Sequence, residues 1–180
     1  MKVLFFACAL VLLAPVGAAL AQTRDADSHF FQISFQDLPE DLALAKAEGK
    51  VGLAIMFDAE DCPPCKRMKR DILSQAQVQD YYRKHFRVIG IDFNGDREVV
   101  DPTGRKMIEK RYAGKGGVGI LGTPSFLFLD LQGREMARNY GEIRSVDTFI
   151  KLGEFVVSGA WRSGDFRSYL GQSASSGQTR

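Results

Sequence analysis

Three continuous apolar runs of strand length stand out along the chain: 51–57 (VGLAIMF), 86–93 (FRVIGIDF) and 125–130 (SFLFLD). None alternates with polar residues, so each predicts a strand buried on both faces. Between them the period lengthens. Residues 39–50 (PEDLALAKAEGK) place Leu42, Ala45 and Ala47 among charges, with Pro39 in the first turn and Gly49 at the end, which predicts a short helix. From Cys62 to about residue 80, Cys65, Met68 and Ile72 share one face while Lys66, Arg67, Lys69 and Arg70 fall mostly on the other, predicting a second helix. A charged loop, 94–106 (NGDREVVDPTGRK), leads into a helix through Met107, Ile108 and Tyr112, and a glycine-rich connection over 113–122 follows. After the third run, 131–135 (LQGRE) turns into 134–142 (REMARNYGE) to close a hairpin. The last element, 145–160 (SVDTFIKLGEFVVSGA), starts at Ser145 as N-cap and carries Val146, Phe149, Ile150 and Leu152 at near-helical spacing. The order β, α, β, α, β, β, α predicts an α/β fold, a mixed central sheet flanked by helices on both faces.

The first 21 residues follow a different pattern. Lys2 precedes an apolar stretch from Val3, broken by Pro15 and Gly17 and ending in Ala19-Leu20-Ala21, the small-residue pattern of a signal-peptidase site. A cleaved secretory leader is expected over 1–21, cut after Ala21, with a retained anchor as the rival reading. Cleavage removes Cys8 and Lys2, so the formal net charge drops from +2 to +1. That balance, with basic residues scattered, argues against nucleic acid as a partner. The remaining length suits one domain, and 161–180, ending in the small polar SASSGQTR, is expected to be a partly disordered tail. An exported location permits disulfides, and Cys62 and Cys65 are the two cysteines left to form one.

The stretch 58–68 (DAEDCPPCKRM) carries the chemistry. As a structural staple, a Cys62–Cys65 bond closes so short a ring that it contributes about 2 kcal/mol, against about 4.7 kcal/mol for a hundred-residue loop. As a metal site it lacks two ligands, because His29 and His85 lie far off without ligand spacing. Lys66 stands where a c-type haem motif needs histidine. Redox chemistry suits the placement better. Cys62 as N-cap of a helix starting at Pro63 sits where orphan amides and the dipole favour a thiolate, making it the expected nucleophile. Cys65, one turn on and facing inward, is the expected resolving thiol. Pro64 has no N–H, so the Cys65 amide is the main backbone donor left for the Cys62 sulfur. With Asp58, Glu60 and Asp61 upstream opposing Lys66 and the dipole, a moderate rather than very low Cys62 pKa is expected.

The apolar strand, the C-P-P-C helix start with Lys66 behind it, and Gly122-Thr123-Pro124 opening a later strand together resemble the thioredoxin fold over 37–160, leaving 22–36 as an N-terminal extension. The resemblance implies that Pro124 is cis and lies beside the disulfide, and that the Thr123 backbone and Pro124 receive an extended substrate peptide. The segments IDFNGDREVVDPTGRK, GTPSFLFLDLQGRE, and YLG after SGAWRSGDF are most similar to the exported SoxW-type periplasmic thioredoxins. That likeness implies periplasmic thiol reduction of protein disulfides, no cofactor, and electrons drawn from a membrane transporter of the CcdA or DsbD kind.

Departures from the family pattern are local. Asp61 occupies the position of the usual tryptophan, and Met56 that of the buried aspartate thought to handle the resolving thiol's proton. Glu60 is the nearest candidate for a replacement, although an exposed surface carboxylate is the better reading of it; Asp58 is no better supported, and Met56 reads as core packing. The loop around Asp96, Arg97 and Glu98 fits a solvated turn as well as a recognition element. The expected function is an exported, monomeric thiol:disulfide oxidoreductase working as a reductase. The alternatives are an oxidase or isomerase of exported proteins, and a thioredoxin-fold binding module whose thiols are incidental.

Overall fold

The computed structural model describes residues 22–176, so the expected leader over 1–21 lies outside the described residues. Each apolar run is a strand: β1 is Gly52–Asp58, β2 is Phe86–Asp92 and β5 is Ser125–Asp130, with β6, Glu135–Tyr140, closing the hairpin. Among the described residues these four form one sheet in the order β2-β1-β5-β6, with β1 parallel to β2 and antiparallel to β5. The runs are apolar throughout because both faces are covered. Ala54, Met56, Val88, Phe126 and Phe128 join one core cluster, and the alternate residues Leu53, Ile55, Ile89, Leu127 and Leu129 join the other. Gly52 begins β1 because a Cβ there would collide with the Leu129 carbonyl of the neighbouring strand.

Helix α2, Leu38–Ala47, and helix α5, Glu109–Ala113, supply residues to the cluster of Leu53 and Ile55; α3, Pro63–Met68, α4, Ala76–His85, and α6, Val146–Val157, supply the other. Ser145 caps α6, its Oγ accepting from the Thr148 amide at 3.3 Å.

The single helix expected from Cys62 is divided. After α3 comes one π-helical turn, Lys69–Leu73, and the chain breaks at Gln75, whose backbone is extended, before α4 resumes and runs on to His85. The break is stable because another segment supplies its hydrogen bonds: the Arg24 amide donates to Ser74 O at 2.7 Å and the Ala76 amide to Gln22 O at 2.8 Å.

Met107 and Ile108, expected in a helix, lie instead in β4, Lys106–Ile108, which pairs with β3, Glu98–Val100, inside the expected charged loop. The turn between them is built on Asp101. One carboxylate oxygen accepts from the Thr103 amide and hydroxyl and the Arg105 amide, and the other from Arg105 Nε at 2.7 Å. Burial opposes that charge, but the hydrogen bonds from Thr103 and Arg105 prevail and hold the Asp101 carboxyl down at about 2. The β5–β6 turn repeats the same D-x-x-G-R pattern, Asp130 accepting from the amides of Gln132 and Arg134 and from Arg134 Nε. The two turns touch, since a Cβ on Gly133 would strike Pro102.

Residues 22–36, read as an extension, are part of the packed body. Helix α1, Ala26–His29, is capped by Asp25, and Phe30 is 0 % exposed in the core cluster that contains the cysteines. Gln32 pairs along the β2 edge, its amide donating to Val88 O and its side-chain oxygen accepting from the Val88 amide. The expected tail also carries structure: α7, Phe166–Ser176, brings the Phe166 and Tyr169 rings to 5.7 and 5.4 Å from Phe155. Its aromatic residues give the segment an apolar face that its polar end conceals in composition.

Candidate redox site

Strand β1 ends at Asp58, a three-residue loop turns the chain, and Cys62 becomes the N-cap of α3 with extended backbone, followed by Pro63 and Pro64. Proline suits the first turn because its missing N–H would have no intrahelical partner there. The Cys62 sulfur accepts from the Cys65 amide at 3.2 Å, the donor that the two prolines leave. Cys62 and Cys65 form a disulfide with a Cα–Cα distance of 5.2 Å, and both are buried, at 4 % and 2 % exposure. The pair therefore stands as a built dithiol–disulfide couple at the mouth of the sheet.

The Thr123–Pro124 peptide bond is cis. Phe57 pairs with Ser125, so Pro124 lies at the end of β5 where β1 runs into the cysteine loop. Pro124 is buried and its carbonyl accepts from the Gly141 amide at 2.9 Å, while Leu121, just upstream, is 83 % exposed.

Met56 is fully buried among apolar side chains of the cysteine cluster, and Glu60 and Asp61 are exposed. Asp58 is half-buried and paired with Lys69 at 2.7 Å, while Lys69 also reaches Asp27 at 3.0 Å and lies 5.4 Å from the Phe31 ring centre. Burial works against the Lys69 charge, but its bonds to Asp58 and Asp27 outweigh this and raise its pKa. Asp96, Arg97 and Glu98 are each ion-paired within their own hairpin region, to Lys110, Glu109 and Lys106. His29 contacts Ser28 Oγ, and His85 ends α4 against Tyr81.

A clasp not visible in the sequence holds α3 in place: Arg67 donates two hydrogen bonds, each 2.9 Å, to Glu142, which Arg144 also contacts at 3.0 Å. The partners are 75 residues apart, so no local pattern could have announced them. Chiefly through the Arg67 hydrogen bonds, the Glu142 pKa falls from 4.5 to about 2. A carboxyl depressed on folding stabilises the fold above its ordinary pKa, and that contribution is lost as pH falls through the folded value. Arg67→Met should lower stability near neutrality, and its difference from the parent protein should shrink between pH 4.5 and about 2. Urea denaturation at about pH 6 and about pH 3 checks this.

The thioredoxin-like domain family matches residues 38–157 of this chain. The chain belongs to the thioredoxin-like family. Among solved structures, this thioredoxin-like chain is similar to a thioredoxin-fold protein from Helicobacter pylori, with a TM-score of 0.61 and 18 % identity over 82 % of this chain and 94 % of that one. It is also similar to a candidate disulphide-isomerase from Bacteroides thetaiotaomicron, with a TM-score of 0.53 and 24 % identity over 71 % of this chain and 93 % of that one. At these identities the two likenesses show the fold. No curated protein matches the chain.

Proposed function

We propose that this thioredoxin-like protein is an exported thiol:disulfide oxidoreductase that reduces disulfides of periplasmic proteins, as SoxW-type thioredoxins are thought to do. The observation that carries the reading is the Cys62–Cys65 couple at the start of α3, at the same end of the sheet as the cis Thr123–Pro124 bond. In the reduced protein the Cys62 thiolate attacks a substrate disulfide and releases one substrate thiol. Cys65 then attacks Cys62, the second substrate thiol leaves, and two electrons have passed from the dithiol to the substrate. Thr123 and Pro124 receive the substrate peptide beside the exchanging sulfurs. The protein acts as a monomer, and a membrane thiol transporter of the CcdA or DsbD kind returns it to the dithiol state. The leader pattern over 1–21 supports export.

The direction of electron flow rests on the thiolate. Cys62 has one backbone donor, and the acids preceding it oppose a negative charge, so its thiolate is only weakly stabilised, which favours a reducing couple. Equilibration of Cys62–Cys65 against glutathione is expected to give a potential near that of thioredoxin, about −270 mV. A value near that of DsbA, about −120 mV, makes the protein an oxidase instead.

A further inference from the structure

We propose that Asp58 takes the proton of the Cys65 thiol when that thiol resolves a mixed disulfide, and that Lys69 keeps the charge of the pocket balanced as it does so. This rests on the redox reading above. A thiol must become a thiolate to attack, and Cys65, at 2 % exposure, has little access to bulk water. It does face a cavity of about 190 Å³ that Asp58 and Lys69 also line. That volume exceeds the roughly 30 Å³ share of a water molecule several-fold, so water can carry a proton between sulfur and carboxylate.

Alternation along β1 puts Asp58 on the same face as Met56, which packs in the cysteine cluster. The strand thus brings no acid beneath the cysteines at Met56 and brings one two residues later, at the cavity. Lys69, four residues after Cys65, projects from the same side of the continuing helix onto Asp58. The other charged groups facing this pair are Asp27 from α1, Glu60 from the cysteine loop, Lys66 from α3, and Asp92 and Arg97 from the end of β2 and beyond, with Arg24, Asp25 and Arg70 lining a second cavity on the Lys69 side. Glu60 is exposed, and the Asp92 carboxylate accepts from the Asn94 amide. Asp58 combines partial burial, a fixed cationic partner and a shared cavity with Cys65. Lys69 is kept protonated by Asp58 and Asp27, so it serves as a counter-charge and not as the acceptor.

The step balances within the cavity. The Cys65 S–H bond breaks and its proton passes to Asp58; the Cys65 thiolate bonds to the Cys62 sulfur; the bond from Cys62 to the substrate sulfur breaks, and the substrate thiolate is protonated by solvent. Before the transfer Lys69 neutralises Asp58, and afterwards it faces the Cys65 thiolate, so the net charge of the site does not change.

Mixing the reduced protein with dithiobis(nitrobenzoate) separates the two thiols, because Cys62 attack releases the first chromophore and Cys65 attack on the Cys62 adduct releases the second. Asp58→Asn should slow the second release at least ~10-fold near neutral pH and move its pH midpoint upward, leaving the first within about twofold. Asp58→Glu should recover most of the rate, and Glu60→Gln should behave as the parent. Lys69→Met, which keeps the carboxylate, should also move the midpoint of the second release upward. A second release as fast in Asp58→Asn as in the parent, with an unchanged pH profile, overturns the proposal; so does a loss that appears in Glu60→Gln instead, or an unmoved midpoint in Lys69→Met. If the parent protein gives no first release, the redox reading itself fails, which is a separate outcome.

Discussion

Cys65→Ala is expected to halt the protein after a single attack and to accumulate mixed disulfides on Cys62. With the resolving thiol gone, release of the partner depends on thiols arriving from solution. Cys65 sits with its Cα 5.2 Å from that of Cys62 and already bonds its sulfur, so the intramolecular route has the advantage of a prepositioned reactant. Effective molarities for such arrangements far exceed any millimolar thiol, and steady-state disulfide reduction should fall at least ~10²-fold. Non-reducing electrophoresis and mass spectrometry of material captured on the variant should show adducts through Cys62 that a reductant dissolves. Cys62→Ser should form none. Undiminished turnover in Cys65→Ala sinks the assignment of the resolving thiol. Partners retained after both cysteines are replaced would identify a binding module instead.

Phe30→Ala is expected to cost about 3–5 kcal/mol of stability, as large aromatic truncations in a core do. The Phe30 ring lies 5.6, 6.5 and 6.1 Å from those of Tyr82, Phe126 and Phe149. Tyr82 in turn stacks on Phe149 at 4.4 Å and donates its hydroxyl to the Phe149 carbonyl at 2.7 Å. The loss would therefore open a cavity at the centre of an aromatic group joining α1, α4, β5 and α6. The urea midpoint should drop accordingly, and a change under about 0.5 kcal/mol, typical of a surface site, would show that 22–36 is an appendage.

Much of the architecture was legible because it is written in short-range patterns. A strand covered on both faces must be apolar at every position, so β1, β2 and β5 announce themselves as unbroken runs. Cys62 before two prolines marks a helix start and, by removing the Pro64 amide, points to the Cys65 N–H as the sulfur's donor, which is the bond observed. Helix α6 declared its cap at Ser145. The β3–β4 hairpin was hidden because its strands have three residues each and lie among charges. A signal was nonetheless present: D-P-T-G-R at 101–105 repeats the D-x-x-G-R of the β5–β6 turn, and both turns fold around the same aspartate hydrogen bonds.

Sequence alone therefore determined the four strands of the main sheet, the cysteine pair at its helix start and the α/β class, since each depends on periodicity or on backbone groups a few residues apart. Tertiary structure decided the rest. The break at Gln75 exists because Gln22 and Arg24 satisfy its backbone, and Phe30 belongs to the core because rings from distant elements surround it. Likewise, Lys69 read as one more cation on the polar face of a helix until folding set it between Asp58 and Asp27, beside the cavity that reaches Cys65. Such a grouping leaves no trace in spacing, because its members come from separate segments and meet only when the sheet and the cysteine helix have packed.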